Sequence, residues 1–310
     1  MAWALVCPAS RGIGFHLTRH LLQHSHLPVV ATARKDVMTV KKSLLSGLEN
    51  VDENRLKVVT LDVTGNKKEF FNIHIDIEGM KKGGKEGLCP NIDESSISQA
   101  ADEIKLIYPS STTNPLYLSF CMPGILHPEK SPSQIQHANI VETFAVNTIG
   151  PLMMIKHFSP FLPRKNNPNL PTNTNSNINA TESDLSSKKI SASALPPHAI
   201  WLNMSARVGS ITDNGLGGWY SYRASKAAVN SITKSLDLFL LSRSGKNAMA
   251  ISYHPGTVKT DLSKDFWGGV SQEKLFTPEF AVSKMWDVIR GVDLSGRGKC
   301  FDWKGDVILP

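Results

Sequence analysis

The chain has 310 residues, of which 41% are hydrophobic, and a formal net charge of +7. This length supports a sizeable hydrophobic core, in one large α/β domain or in two small ones. The Lys and Arg residues are scattered along the chain and form no basic stripe, which argues against a nucleic-acid partner.

Short apolar runs alternate with helical patterns in the N-terminal half, as is typical of βαβ units and a parallel sheet. The predicted strands are, in chain order, 3–7, 28–33, 56–61, 116–121, 199–204 and 248–254. The predicted helices are 15–23, 135–161 with a bend near Pro151, and 222–241. The strands are almost continuously apolar, as expected where helices cover both faces of a sheet. The sequence therefore predicts one α/β domain, 1–310, with a Rossmann-type doubly wound parallel sheet.

Two segments interrupt this alternation and are interpreted as insertions, at about 65–93 and 164–197. The first has mixed charge, and its Gly83-Gly84 pair predicts a tight turn. The second is dominated by Asn, Ser, Thr and Pro, a composition that cannot bury enough apolar area to offset the entropy of ordering. We expect the second insertion to be disordered.

The segment Ser10-Arg11-Gly12-Ile13-Gly14 lies between the first predicted strand and a helix. A glycine-rich turn at this point brings backbone N–H groups and a helix N-terminus to a pyrophosphate, where the helix dipole favours negative charge. Glycine allows the phosphate to approach the backbone closely. The motif predicts a dinucleotide-binding turn.

The residues after the second predicted strand bear on the choice of dinucleotide. NAD-binding sheets usually have an acidic residue there for the ribose 2′-hydroxyl, whereas a basic residue accommodates the 2′-phosphate of NADP. Here the strand is followed by Arg34 and Lys35, with Arg11 in the glycine turn, and Asp36 lies two residues beyond Arg34. We expect NADP(H), with NAD(H) as the weaker alternative.

Tyr222 and Lys226 are spaced i and i+4 on a predicted helix and therefore share one face. A free tyrosine has a pKa of roughly 10, too high for proton transfer near neutrality. We expect the Lys226 ammonium and an oxidised nicotinamide to lower the pKa of Tyr222. Tyr222 could then protonate the alkoxide that forms when a carbonyl is reduced. Tyr220 is six residues from Lys226 and faces elsewhere.

Two further polar segments end predicted strands near this helix. They are 203–211, which precedes it, and 254–260, which follows it. In a parallel sheet, ligands bind outside the carboxyl ends of the strands. The glycine turn, the Tyr222 helix and both segments are therefore expected at one site.

Taken together, these motifs resemble the short-chain dehydrogenase/reductase family along nearly the whole chain, in particular its branch of C-factor-like and sniffer-like carbonyl reductases. The matching segments are 10–14, 61–63, 124–125, 146–148, the Tyr222/Lys226 motif, 217–223, 254–260 and 298–305. The resemblance implies an NADP(H)-dependent reductase of small aldehydes or ketones that acts by hydride transfer, with Tyr222 as the proton donor. It also implies a homodimer or homotetramer.

The resemblance implies roles for further residues near the cofactor. Asp62 would accept from the adenine amino group, with Val63 against the ring, and Gly124 would lie beside the cofactor. Asn147 would kink its helix and hold a water that relays protons to Lys226. Lys226 would also bind the nicotinamide ribose.

The last matching segment is expected to position the nicotinamide. By resemblance, Val258 and Thr260 would hold its carboxamide.

The chain departs from the family pattern at three places. Cys7-Pro8 replaces Thr-Gly, which removes the first glycine of the turn and one backbone donor. Cys121-Met122-Pro123 replaces Asn-Asn-Ala beside the adenosine ribose.

The third departure concerns the serine that orients the substrate carbonyl. The position that corresponds to this serine in the family is Ala206 here. Ser205 or Ser210 is left for the role, and we favour Ser205.

Two alternatives to catalysis remain open. The substitutions in the turn would suit a weakly catalytic or regulatory nucleotide-binding protein of the same fold. A basic scaffold for nucleic acid would require salt-sensitive binding.

The sequence shows little sign of a metal site, a disulfide framework, a signal peptide or a membrane helix. His16, His20 and His24 recur at helical spacing, but no third ligand is evident and no metal site is expected. The four cysteines contain no Cys-x-x-Cys and are expected to be free thiols. The N-terminal apolar run lacks a basic start, and no uninterrupted apolar stretch reaches about 20 residues. We therefore expect a cytoplasmic protein without a membrane partner.

Overall fold

The computed structural model describes residues 1–63, 94–167 and 195–310. The predicted insertion at 65–93 lies outside the described residues, as does the 168–194 part of the insertion at 164–197. The tight turn expected at Gly83-Gly84 and the disorder expected in the second insertion therefore stay predictions.

A central sheet of eight strands carries the fold in the described residues. Its strands are β1 (Trp3–Cys7), β2 (Val29–Ala33), β3 (Leu56–Thr60), β4 (Leu116–Cys121), β5 (Ala199–Met204), β6 (Ala248–His254), β9 (Cys300–Asp302) and β10 (Val307–Ile308), and the short strands β7 (Thr257–Val258) and β8 (Leu275–Phe276) form a separate pair. The order across the sheet is β10-β9-β6-β5-β4-β1-β2-β3, and only the β9–β10 pairing is antiparallel. The predicted fold class is confirmed.

Helices lie on this sheet, as the apolar strands predict. They are α1 (Gly12–His24), α2 (Val37–Leu45), α3 (Glu94–Ile107), α4 (His137–Phe144), α5 (Gly150–Phe158), α6 (Tyr220–Ser244) and α7 (Pro278–Gly291). The strand predictions agree with the structure to within one residue at each end. Strands β1 to β6 are buried almost throughout, and the aromatic side chains of Trp3, Trp201 and Tyr117 fill the core.

The order of the strands in the sheet determines where a ligand is expected to bind. Strand β1 lies between β2 and β4, so the chain direction across the sheet reverses beside β1. All strands from β1 to β6 are parallel, and their carboxyl ends meet at one edge. Open α/β sheets bind ligands in the crevice at such a reversal point.

The long helix predicted over 135–161 is interrupted near Pro151, as expected, in the turn just before it. Helices α4 and α5 are joined by a π-helical turn, Ala145–Ile149, and Pro151 lies in the first turn of α5. Proline lacks the N–H that would bond to the carbonyl four residues earlier, so the irregularity falls on the turn before it. This turn contains Asn147.

One helical run in the described residues, His137–Phe161, is long and apolar enough to cross a membrane by length and composition. Its parts pack against other helices of the domain, with α5 beside α3 and α4 beside α6. A helix in the core of a globular domain has the same composition, and packing within the domain accounts for this one.

Candidate active site

The glycine turn joins β1 to α1 at the carboxyl edge of the sheet. Gly12 has a φ of +57°, which L-residues with a side chain rarely adopt. A Cβ on Gly14 would lie 1.9 Å from the Pro8 carbonyl oxygen, so only glycine allows the backbone to pass here. The first N–H groups of α1 have no partner within the helix. They face the region where a pyrophosphate would bind.

Basic side chains flank this turn. Arg34 follows β2 directly, is exposed, and has no ion pair in the described residues. Arg11 lies 3.6 Å from Asp261, and both side chains are largely exposed, so solvent screens this pair. Ser10 and Ile13 complete the turn, and Ile13 packs against the hydrophobic core. The turn and the end of β2 thus present positive charge that a phosphate could use.

The end of β3 is held against two helices. The Asp62 backbone N–H donates to Ser96 Oγ of α3 at 2.9 Å. A Cβ on Gly150, the first residue of α5, would lie 3.1 Å from the Val63 Cβ, so the two backbones pass closely. Asp62 and Val63 therefore lie at the carboxyl edge, on the same side of β1 as β2.

Asn147 ties the π-helical turn to the loop after β4. Its Oδ1 accepts from the Ile125 N–H at 2.8 Å, and its Nδ2 donates to the Ile125 carbonyl at 3.0 Å. Nδ2 also donates to Ser225 Oγ of α6 at 3.0 Å. A Cβ on Gly124 would be 3.7 Å from Lys226 Nζ and 3.9 Å from Asn147 Oδ1. Gly124, Asn147 and Lys226 therefore meet at one point.

Tyr222 and Lys226 are adjacent, buried side chains on one face of α6. The Lys226 Nζ lies 5.7 Å from the centroid of the Tyr222 ring and donates to the Met204 carbonyl of β5 at 2.9 Å. The Tyr222 hydroxyl has no hydrogen-bond partner in the part of the chain that the structure describes, and the residue lines a cleft. The hydroxyl is therefore free to bond to a ligand.

Burial determines the protonation of this pair. Desolvation lowers the pKa of Lys226 to about 8, with a smaller opposing effect from Cys121. Desolvation also raises the pKa of Tyr222, and no charged neighbour offsets it. The lowering of the Tyr222 pKa expected from Lys226 together with an oxidised nicotinamide is not seen for the protein's own groups alone, and for the protein with bound cofactor it stays a prediction. Tyr222 is a neutral phenol near pH 7, the form that can donate a proton.

The two candidate serines occupy different places. Ser205 follows β5, lines the cleft beside Ala206, and its Oγ donates to the Lys226 carbonyl over 3.4 Å. Ser210 is buried, and its Oγ accepts from the Asp213 N–H at 3.0 Å. Ser210 is not among the residues that line the cleft. Ser205 is therefore the better placed of the two for contact with a ligand.

The segment after β6 completes the site. Val258 in β7 is buried, and its carbonyl accepts from Ser263 Oγ at 2.5 Å. Thr260 faces the glycine turn, because a Cβ on Gly12 would lie 3.4 Å from Thr260 Cγ2. Both residues line the cleft. They connect the β6 end of the sheet to the dinucleotide-binding turn.

These segments enclose one cleft of about 830 Å³ at the carboxyl edge of the sheet. Of the residues predicted to bind cofactor or to act in catalysis, the cleft is lined by Arg11, Gly12, Ile13, Gly14, Gly124, Ser205, Tyr222, Lys226, Val258 and Thr260. Ser10, Arg34, Asp62 and Val63 lie outside the lining, at the β1, β2 and β3 ends of the same edge, and Asn147 lies behind Gly124. The predicted site residues are brought together at one edge of the sheet.

An aromatic pair at the Tyr222 end of the cleft was not predicted. Trp219 immediately precedes α6 in the left-handed conformation, with a φ of +50°. Its ring packs edge-on to the Tyr222 ring at 6.2 Å and against Phe266 at 4.8 Å. The Gly217-Gly218 pair indicates an unusual turn in the sequence. Nothing in the sequence indicates that Phe266 packs against Trp219 after that turn.

His254 also lines the cleft, and its protonation state depends on its burial in the fold. Burial and the nearby Arg207 guanidinium lower the pKa of His254 to about 4, so the imidazole is neutral near pH 7. Its Nδ1 is buried without a hydrogen-bond partner among the described residues. His16, His20 and His24 lie elsewhere, on α1, where His16 pairs with Glu279 and His20 packs on Trp286 of α7.

No family model matches the chain. A 1-hydroxy-2-glutathionyl-2-methyl-3-butene dehydrogenase of Rhodococcus sp. (strain AD45) is 41% identical over 90 residues, which is 29% of this chain and 36% of that protein. An uncharacterized oxidoreductase of Schizosaccharomyces pombe is 23% identical over 98% of this chain and 96% of its own length. C-signal of Myxococcus xanthus is 27% identical over 55% of this chain and 78% of its own length.

Solved structures resemble the chain over its length. The NADPH-bound carbonyl reductase from chicken fatty liver is 25% identical, with a TM-score of 0.69 over 99% of this chain and 98% of that one. The carbonyl reductase Sniffer of D. melanogaster is 20% identical, with a TM-score of 0.67 over 100% of both chains. At that lower identity the Sniffer structure supports the fold alone.

The sequence relatives and the structural neighbours agree with the motifs that the structure gathers at one edge of the sheet. The glycine turn, the Tyr222/Lys226 pair and the segment after β6 follow one another in this order along the chain and line one cleft. These comparisons support the resemblance to the short-chain dehydrogenase/reductase family of oxidoreductases.

Proposed function

We propose that the protein is an NADPH-dependent reductase of small aldehydes or ketones, formed by a single domain over 1–310. The observation that carries the proposal is the place of Tyr222, whose unpartnered hydroxyl lies in the same cleft as the glycine turn. A proton donor and a dinucleotide-binding turn at one edge of the sheet are the two parts that such a reaction needs.

The residues at the carboxyl edge fit a dinucleotide. Gly12, with its left-handed φ, and Gly14, packed against the Pro8 carbonyl, shape the turn at the N-terminus of α1, where a phosphate would bind. The end of β3, with Asp62 and Val63, would hold adenine, and Val258 and Thr260 would hold the nicotinamide carboxamide. Lys226, beside Gly124, would bind the nicotinamide ribose.

Arg34 and Arg11 support a preference for the 2′-phosphate. Both side chains are exposed near the end of β2 and the glycine turn, and no acidic side chain there forms a close, buried pair with them. The chicken carbonyl reductase is described as NADPH-bound, which agrees with this preference. NAD(H) is expected to bind more weakly.

The bound cofactor would supply the hydride. Tyr222 would donate its phenolic proton to the carbonyl oxygen of the substrate, and its raised pKa keeps that proton in place near pH 7. Lys226 would stabilise the phenolate by its positive charge, and Asn147 beside it would hold a relay water. Ser205 in the cleft wall would orient the carbonyl, since Ala206 has no hydroxyl.

The substrate itself would be a small carbonyl or alcohol, bound between Tyr222 and the Trp219–Phe266 pair. We further propose a cytoplasmic homodimer or homotetramer, with no nucleic-acid or membrane partner. The exposed Leu238, Phe239 and Leu241 of α6 offer apolar surface for subunit contact. Cell fractionation and light scattering of the purified protein test these two points.

The decisive experiment measures NADPH binding and NADPH oxidation with a panel of small aldehydes and ketones. We expect turnover that disappears in Tyr222→Phe while NADPH binding remains. Binding without turnover that depends on Tyr222 would instead support the weakly catalytic or regulatory alternative, which the replacement of the family serine by Ala206 favours. Salt-sensitive nucleic-acid binding that survives NADPH would contradict both.

A further inference from the structure

The loop after β4 is attached at two points to the helices that carry the site. Near its start, Ile125 is bonded through both its N–H and its carbonyl to Asn147. Further along, Glu129 is bonded to the start of α6. The residues between these points, including His127, line the cleft. The attachment at Glu129 has no role in the proposed reaction so far.

Glu129 is a buried carboxylate, with 1% of its surface exposed. One oxygen accepts from the Ser221 backbone N–H at 2.8 Å, and the other accepts from Ser221 Oγ at 2.8 Å. The Glu129 carbonyl accepts from the Trp219 N–H at 2.6 Å. Glu129 has no ion pair with any described residue, so the start of α6 is what stabilises its charge.

The position of Glu129 compensates for a missing cap. The first N–H groups of a helix have no partner within the helix, and a side chain before the helix usually accepts from them. Trp219 occupies that position in α6 and cannot accept. Glu129, 92 residues away from Ser221 in the chain, supplies the acceptor, and its negative charge is favourable at a helix N-terminus.

The backbone before α6 also depends on this contact. Gly217, Gly218 and Trp219 have φ values of +65°, +66° and +50° in succession. A left-handed conformation is unfavourable for a residue with a large side chain. The hydrogen bond from the Trp219 N–H to the Glu129 backbone carbonyl holds this turn beside the Glu129 side chain, and Arg223 donates to the carbonyls of Gly217 and Gly218. The turn directs the Trp219 ring against Tyr222.

We propose that Glu129 is a positioning residue for Tyr222, which fixes the first turn of α6 and the Trp219 ring relative to the substrate loop. The inference rests on the proposed reductase function, in which the Tyr222 hydroxyl must meet the substrate oxygen. Displacement of a reacting group by about 1 Å can cost on the order of 100-fold in rate. The hydrogen bonds of Glu129 go to Ser221 and Trp219 at the start of α6, not to the dinucleotide-binding turn, so cofactor affinity is expected to be independent of it.

The test compares Glu129→Ala, which removes both acceptors, with Glu129→Gln, which keeps an acceptor for the Ser221 N–H and can donate to its hydroxyl. Glu103→Gln on α3, whose exposed carboxylate pairs with Lys57, is the matched control. Each variant is assayed for kcat and KM with a small-carbonyl substrate and for NADPH affinity. Hydrogen–deuterium exchange of the segment 219–226 is measured in the same samples.

For Glu129→Ala we expect kcat to fall about 10- to 100-fold, with NADPH affinity within about twofold of the wild type. Exchange in 219–226 should accelerate. Glu129→Gln should restore both kcat and protection to within about threefold, and Glu103→Gln should change neither.

Wild-type protection of 219–226 in Glu129→Ala would overturn the inference, as would lost protection with an unchanged kcat. If the wild type reduces no carbonyl, the proposed function fails and the exchange measurement alone decides the role of Glu129. If Glu129→Ala does not fold, Ser221→Ala decides, since loss of one of the two bonds should lower kcat several-fold at unchanged NADPH affinity. An unchanged kcat in Ser221→Ala would then contradict the inference.

Discussion

The Lys226 ammonium lies 5.7 Å from the centroid of the Tyr222 ring, and both side chains are buried at the carboxyl edge of the sheet. Burial acts on the two groups in opposite directions, because it disfavours the charged form of each. It lowers the pKa of Lys226 to about 8 and raises that of Tyr222. Tyr222 therefore retains its proton through the neutral range, while Lys226 loses its proton at a moderately alkaline pH.

Replacement of Tyr222 by Phe should lower kcat by about 100- to 10,000-fold, since it removes the general acid while the ring remains. NADPH affinity should change little. Tyr220→Phe is the matched control, because Tyr220 is the first residue of the same helix and is 40% exposed. Steady-state turnover and NADPH fluorescence titration measure both effects. Equal losses in the two variants would contradict the assignment.

The pH dependence of carbonyl reduction should follow Lys226. Its ammonium form supports the phenolate, so kcat/KM should fall as the pH rises through about 8. Tyr222 should not titrate in this range, since its pKa is raised. A profile between pH 6 and 10 tests the prediction. A kcat/KM that stays flat beyond pH 9 would show that the charge on Lys226 is not required.

The titration of Lys226 should also affect the stability of the folded protein. Stability should rise with pH, whereas kcat/KM should fall. The pKa of Lys226 in the folded state is about 8, below the ordinary lysine value of 10.5, so between these values the unfolded state binds more protons. Stability then rises with pH in that window. The Tm of the wild type should increase relative to Lys226→Met as the pH goes from 8 to 10.5. A constant difference in Tm would indicate that burial does not shift the pKa of Lys226.

Ser205→Ala should lower kcat/KM about tenfold, by loss of one hydrogen bond to the substrate carbonyl. Ser210→Ala should have a smaller effect, because the Ser210 hydroxyl accepts from the Asp213 N–H and does not line the cleft. The two variants control for each other in a single assay. An unchanged kcat/KM in Ser205→Ala, with activity abolished in Ser210→Ala, would reverse the assignment.

Arg34→Ala should weaken NADPH binding about 10- to 100-fold, because a hydrogen bond to a charged group contributes about 1.5 to 3 kcal/mol. NADH binding should change little, since NADH has no 2′-phosphate. The ratio of the two dissociation constants measures the effect within one variant. A wild type that prefers NADH, or an equal loss for both cofactors, would contradict the role of Arg34.

Local sequence patterns alone determined the fold class and the chemistry-bearing segments. The apolar runs of β1, β4, β5 and β6 match their strands at both ends, because strands covered on both faces contain little else. The glycine turn and the Tyr222/Lys226 spacing are equally local. They follow from the sterics of a tight turn and from the helical repeat, which neighbouring residues suffice to define.

Only the tertiary structure decided how these segments act on one another. Whether the pKa of Tyr222 is raised or lowered depends on how fully burial desolvates the phenol. No spacing in the sequence reveals this. The place of Ser205 in the cleft wall depends on the path of the loop after β5. The capping of α6 by Glu129 joins residues 92 positions apart. Burial and contacts between distant segments exist only once the sheet has assembled, and for that reason the sequence could not supply them.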